Sequence, residues 1–344
     1  MISLISHFFN EAYLLPSWIR HHREMFDRAI LFDYSSTDDS RRIISKLAPS
    51  TWEVHQSRNK EFGAVSCDLE VMEAERSVTG WKIALNTTEF LVFPDVHGAV
   101  ESLKNMLVEA VRIAGYIVVD SDPLGPRKIL EDVPLYEQFR FGVPELWQER
   151  RDSDRARFRP VGRLLHSFMD GKYSPGRHAW LRDDGQLPLS KAAIFWFGFA
   201  PWSPEFVARK QQIGGRLAVN DVASGYGMHH QWGLEELEAS RLRFLSQAMD
   251  LRTSRQCQSL LDAVHYRQSF SMDGLELTGN PYPFGGPFRE ADLKRYLCSH
   301  LGLDSESPTD PLIRIGQLIA TESQFRELQQ AQTDSKKRRF FIRR

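Results

Sequence analysis

The strongest constraint on the fold is a repeated change of period over the first 125 residues, where short apolar runs alternate with amphipathic segments. Such a succession builds a mostly parallel sheet flanked by helices, because each apolar run is buried between layers. Met1–Ser6 reads as the first strand, and a helix over about Leu14–Met25 tolerates Pro16 in its first turn. Arg28–Asp33 (RAILFD) is the second strand. Asp38, Asp39 or Ser40 can cap the helix after it, which carries Ile43, Ile44 and Leu47 on one face. Trp52–Gln56 is a weaker strand. A helix over about Ser66–Val78 stops near Gly80 and leads into WKIALN and TEFLVF. A further helix over about Val100–Ala114 is expected to end at Gly115 and feed the strand YIVVD.

The rest of the chain is less regular. The stretch QERRDSDRARFRP reads as a solvated loop or helix, Ala192–Phe199 as a buried strand and Pro204–Ile213 as a helix. Beyond Gly233 the pattern is mainly helical, over Leu234–Met249, Gln256–Gln268, Glu290–His300 and Pro311–Gln329, with GNPYPFGGPF as a loop. The expected organisation is a large α/β domain over 1–232, a helical region over 233–335 and a basic tail over 336–344.

A net charge of -1 with 26% charged residues argues against nucleic acid as the main partner. Cys67, Cys257 and Cys298 are too scattered for a disulfide framework or a zinc site, so a reducing compartment is expected. The apolar start MISLIS has no basic region before it and reads as no secretory signal. The longest apolar stretch, Ala192–Trp202, falls short of the roughly 20 residues a membrane span needs. A soluble, cytoplasmic protein is the expectation. The last nine residues hold six basic and no acidic side chains around Phe340, Phe341 and Ile342. That tail suits peripheral contact with the inner face of an anionic membrane as well as it suits a solvated terminus.

The sequence has no Walker phosphate loop, complete GxGxxG fingerprint, HExxH or GxSxG. What it has instead are polar residues just after strands, where open α/β sheets bind ligands. FFNEAYLLPSWIRHH follows the first strand, and LFDYSSTDDS contains the end of the second. In Asn10, Glu11, Trp18, Ile19, His21, His22, Asp33, Ser36 and Asp38 the chain resembles family-2-like glycosyltransferases. In that family the first strand ends in Asn-Glu ahead of Trp-Ile-x-His-His, and the second in Asp-x-x-Ser-x-Asp. The resemblance implies a GT-A nucleotide-diphospho-sugar transferase fold. It also implies transfer of a sugar, with inversion, to a glycan or lipid-linked acceptor in cell-surface polysaccharide biosynthesis.

On that resemblance Asn10, Glu11, Asp33, Ser36 and Asp38 belong to the nucleotide-sugar site, and Asn10, Asp33 and Glu89 should converge on one hollow. Asp33 also reads as a turn-capping carboxylate, and His21 and His22 suit packing at least as well as chemistry. Where the family carries Asp-x-Asp-Glu-Phe for the ribose and a divalent cation, this chain has Asn86, Thr88, Glu89 and Phe90. Three readings follow: Glu89 holds Mn or Mg, basic side chains meet the leaving-group charge without metal, or activity is lost. The sequon Asn86-Thr87-Thr88 is read as coincidence. Asp68 is expected to point into the nucleotide pocket, with Glu70, Glu73 and Glu75 on the solvent face of their helix. His178, with Asp120 and Asp122 as alternatives, is the expected general base. Arg177 and Lys210 are candidates for phosphate oxygens, Lys210 reading otherwise as part of a solvated helix face, and His229 and His230 are candidates for lining an acceptor groove. Two rivals stand beside the enzyme: a nucleotide-sugar or glycan-binding module, favoured by Asn86 and Thr88, and a membrane-surface scaffold recruiting partners through its tail.

Overall fold

The computed structural model describes residues 1–121, 129–131, 133–149, 157–160, 162–173, 175–177, 189–224, 227 and 230–252. The helices expected between Gln256 and Gln329, and the basic tail, lie outside the described residues. The elements in order are β1 (Ile2–Phe8), α1 (Leu15–His22), β2 (Arg28–Asp33), α2 (Ser40–Leu47), β3 (Trp52–Gln56), α3 (Ala64–Ser77), β4 (Trp81–Ala84), β5 (Glu89–Val92), α4 (Val96–Asn105) and β6 (Ala110–Val119). There follow α5 (Leu135–Gln138), β7 (Phe141–Pro144), β8 (Leu146–Glu149), β9 (Arg157–Pro160), β10 (Gly162–His166), β11 (Leu189–Phe199), α6 (Pro204–Gly214), α7 (Val219–Ser224), α8 (Leu234–Leu245) and β12 (Met249–Asp250).

Among the described residues ten strands form one sheet in the order β12-β7-β6-β10-β4-β1-β2-β3, with β11 joined to β6 and β5. The parallel part is β3-β2-β1-β4, in which Ile5 stands opposite both Ile30 and Ala84. β10 runs antiparallel between β4 and β6, while β11 is parallel to β6. The architecture is thus α/β around a parallel centre, with antiparallel strands added beyond β4. β12, within the region expected to be helical, is an edge strand of this same sheet. Among the described residues no helix is long and apolar enough to cross a membrane.

The helix expected over Val100–Ala114 is displaced. α4 starts earlier, capped by Asp95 accepting from the Gly98 N–H, and the chain turns at Leu107 with φ 59°. Residues 110–119 are a strand buried along its whole length, with Gly115 inside it. An unbroken apolar run has no period by which a buried helix and a buried strand can be told apart. The polar stretch QERRDSDRARFRP begins in β8 and ends in β9, which pair with each other. Gly80, the expected helix stop, adopts φ 84°, and the Met1 carbonyl lies 2.6 Å from where a Cβ would stand.

α1 is fixed to β5 by the residues that carry the family resemblance. Trp18 is fully buried and donates from Nε1 to the Glu89 carbonyl at 2.9 Å. His21 donates from Nε2 to the Leu91 carbonyl at 2.8 Å. His22 accepts the Leu91 N–H at Nε2 and donates from Nδ1 to the Trp18 carbonyl. Burial holds both imidazoles below their usual range, His21 at about 4, so both are neutral. These histidines anchor the strand that presents Glu89.

Candidate functional site

Because β1 and β4 are parallel neighbours, the segments leaving their carboxyl ends come out side by side. A cavity of about 630 Å³ opens there, within the range of roughly 300–1,000 Å³ typical of ligand sites. β1 and its following loop contribute His7, Phe8, Phe9 and Glu11, and the β4–β5 turn contributes Asn86, Thr87, Thr88 and Glu89. α3 adds Cys67 and Asp68, β10 adds Arg163, the end of β7 adds Glu145, and α6 adds Arg209, Lys210 and Ile213. Gly176, Arg177, Trp196, Arg216, His230 and Trp232 complete much of the wall.

One side of the cavity is a chain of buried ion pairs. Arg163 grips Glu89 with two hydrogen bonds, Nε to Oε2 at 2.9 Å and Nη2 to Oε1. The same carboxylate accepts the Asn86 N–H at 2.9 Å and Asn86 Nδ2 at 3.0 Å. The Asn86 Oδ1 accepts in turn from Arg177 at 2.6 Å, and Arg177 pairs with Asp68. Asp68 also accepts the Gly176 N–H at 2.7 Å, and burial, opposed by Arg177, raises its carboxyl to about 6.

Arg177 reaches the cavity on a strap tied to α3. Asp170 pairs with Arg76, Glu75 accepts from the Gly171 N–H at 2.7 Å and the Tyr173 hydroxyl at 2.6 Å, and Asp68 holds Gly176 and Arg177. The structure therefore corrects the expected solvent face of α3 at two of the three acids assigned to it, Glu73 being exposed as expected. Glu70 and Glu75 are buried, Glu70 accepting from Ser57 Oγ and the Arg58 N–H. Charges at helical spacing face inward here because a neighbouring loop brings donors to them.

Opposite stands a second set. Glu11 is paired with Arg209, Nε to Oε1 at 2.7 Å, and burial raises the Glu11 carboxyl. Lys210 is buried rather than solvated, its ammonium 5.0 Å from the Phe199 ring centre, 5.4 Å from Trp196 and 5.5 Å from Phe206. None of the described residues hydrogen-bonds to it. Burial, then the charge of Arg209, lowers Lys210 to about 7, with Glu11 acting in the other direction. The unfolded chain would keep that proton up to 10.5, so unfolding between these limits takes up a proton. Stability is therefore expected to rise with pH from about 7 towards 10.5. Lys210→Met should flatten this rise in urea midpoints measured across that span, and an unchanged slope would count against it.

A third wall is aromatic. Tyr34 and Phe62 sit edge-on or tilted against His7 at 5.6 and 6.2 Å, Phe62 meets His230 at 5.4 Å, and Arg216 stacks on Phe9 at 3.9 Å. Gly214 lets the chain near His230 approach, since a Cβ there would lie 2.4 Å from the His230 carbonyl. His7 Nδ1 is buried, and none of the described residues hydrogen-bonds to it. Burial, reinforced by Arg177, Arg209 and Arg163, holds this imidazole well below its usual range.

Of the residues read from the sequence, Glu11, Asp68, Asn86, Thr88, Glu89, Arg177, Lys210 and His230 line this cavity. Asn10, Asp33, Ser36 and Asp38 do not line it, so the three-way convergence of Asn10, Asp33 and Glu89 is not found. They knit two loops together instead. Asn10, at φ 51°, accepts the Thr37 N–H at 2.7 Å, and its own N–H donates to Ser36 Oγ. Asp33 is buried between the Ser36 N–H and Arg41, and Asp38 accepts from the Ala12 and Ser40 N–H groups. Asp120 is buried away from this wall, accepting the Trp202 N–H at 3.0 Å. Asp122, His178 and His229 lie outside the described residues.

The sequence reading missed Arg163, Arg209 and Glu145. Glu145 faces the cavity, and none of the described residues hydrogen-bonds to its carboxyl. Burial and then Glu89 push it up to about 7, against the pull of Arg163. Such a group is half-ionised near neutrality and suits proton transfer. The signal for Arg209 was its place beside Lys210; for Arg163 and Glu145, on or beside strands of four or five residues, there was none.

The donor set does not fit a divalent cation of the kind the family's motif holds. An ionised carboxylate offers about four lone-pair sites, and those of Glu89 are engaged by Arg163 and Asn86. The Asn86 oxygen is engaged by Arg177. Among the described residues no group of three or more His, Cys, Asp or Glu could hold a metal ion.

No family model matches this sequence, and no curated protein matches it. Among solved structures, the chain is similar to the mannosyltransferase PcManGT from Pyrobaculum calidifontis in complex with GDP-Man and Mn2+, at 17% identity and a TM-score of 0.23. That match covers 36% of this chain and 36% of the mannosyltransferase, about a third of its length. TarS 1-349 from S. aureus is similar at 12% identity and a TM-score of 0.28, covering 83% of this chain and 99% of TarS 1-349. Overlap this loose fixes no activity, and the chemistry of the cavity rests on its own residues.

Proposed function

We propose that this chain is a glycosyltransferase of GT-A type that moves a sugar from a nucleotide-diphospho-sugar to a hydroxyl of a glycan or lipid-linked acceptor, with inversion, in cell-surface polysaccharide assembly. The observation that carries the reading is the cavity at the carboxyl ends of β1 and β4, which joins a basic side, an aromatic wall and one unpaired carboxyl. An aromatic wall suits the flat base, and buried cations suit the diphosphate.

In the reaction the acceptor oxygen attacks the anomeric carbon as the bond from that carbon to the diphosphate breaks. Glu145 takes the proton of the attacking hydroxyl, and Lys210 faces the charge gathering on the leaving diphosphate. Arg163 and Arg177 hold Glu89, Asn86 and Asp68 in place, keeping the floor beneath the donor rigid.

A panel of nucleoside diphosphates and their sugar conjugates tests this by thermal shift, followed by assay of released nucleoside diphosphate. At least one diphospho-sugar should raise Tm and be turned over when an acceptor is supplied. No stabilisation by any member would remove the reading. Stabilisation without turnover across acceptors would leave the binding module, which the replacement of two aspartates by Asn86 and Thr88 favours.

A further inference from the structure

We infer that the cavity neutralises a bound diphosphate with its own side chains, Lys210 foremost, and recruits no divalent cation to do so. The inference rests on the donor reading above and specifies how that donor is held.

Among the described residues, three of the four carboxylates on the wall are already matched by a guanidinium: Glu89 by Arg163, Asp68 by Arg177 and Glu11 by Arg209. Each partner is tethered to the same fold, so an incoming metal ion would have to displace a neighbour that never diffuses away. The fourth, Glu145, stands alone, and one carboxylate with the Thr88 hydroxyl is a poor shell for an ion that takes six or more oxygens. Among the described residues, removing the three matched pairs leaves Lys210 and Arg216 as the positive charges on the wall outside an ion pair, against the one carboxyl of Glu145. Arg216 donates to two backbone carbonyls, those of Tyr34 and Lys60, which neutralise no charge.

Lys210 is the more telling of the two. An ammonium has three donors and no acceptor capacity, and here the side chain is buried to 4% exposure with none of the described residues accepting from it. Three ring faces or edges at 5.0 to 5.5 Å hold it in place without satisfying its N–H groups. Phosphate oxygens would supply the missing acceptors. The depressed affinity of Lys210 for its proton adds a signature, since a bound anion restores that affinity and binding above neutrality takes up a proton.

The test is calorimetric titration of the full chain with UDP, GDP, ADP, CDP and dTDP, each in EDTA and in excess MnCl2. The best ligand should bind with Kd values within about threefold of one another in the two conditions. Lys210→Met should weaken that ligand by about tenfold or more, with the affinity for the corresponding nucleoside unchanged as the control for folding. Titration at pH 8 in buffers of differing ionisation enthalpy should show proton uptake in the wild type and not in the variant. A gain of about tenfold or more on adding manganese, or full affinity in Lys210→Met, overturns the inference while leaving the donor reading intact. No binding of any diphosphate in either condition overturns both.

Discussion

Arg163→Met is expected to lower the free energy of unfolding by about 3–5 kcal/mol, because it leaves the Glu89 carboxylate buried without its counter-charge. Both partners are about one-twentieth exposed, so water cannot replace the lost guanidinium. The loss should be visible as a lower urea midpoint at unchanged slope. The double variant Arg163→Met/Glu89→Gln removes the orphaned charge and keeps one oxygen to accept from Asn86, so it should regain most of the stability. A double variant no better than the single one would mean that the guanidinium's bonds to the Gly162 and Arg177 carbonyls matter more than the ion pair.

Glu145→Gln is expected to reduce kcat by about 10²–10⁴-fold while nucleoside diphosphate affinity stays the same, as removal of a general base should. Glutamine preserves shape but cannot accept the proton. The pH profile separates this from a structural effect. A base works only when deprotonated, so wild-type activity should be present above about 7 and fall away as pH drops through that value. The residual activity of the variant should lack that limb. A wild-type profile with no limb near neutrality, or a variant retaining wild-type kcat, would exclude Glu145 from this role.

Much of the scaffold was legible because apolar runs flanked by turn residues are short-range signals: β2 and β3 fall on the residues expected, and α6 extends the expected helix by one residue. Residues 110–119 were not, since an apolar segment buried on every side carries no periodicity. β10 escaped for a different reason. Its five residues GRLLH have little pattern, and its place between β4 and β6 depends on partners 48 to 84 residues away. The site divides along the same line. Glu11, Asp68, Asn86, Thr88 and Glu89 stand next to strand ends or on α3, where the family resemblance nominates them. Arg163 and Glu145 reach the cavity only through pairings of short strands. Asn10 and Asp33, although conspicuous in the sequence, are consumed by the loop geometry that their own positions require.

The strap that carries Arg177 is fastened to two carboxylates, Asp68 and Glu75, about two turns apart on one rod of backbone. Two attachment points on a stiff body fix an orientation as well as a position. The guanidinium is thereby held to the helix through Asp68 on one side and to the β4–β5 turn through Asn86 on the other, so this short loop staples a helix to the turn that lines the cavity.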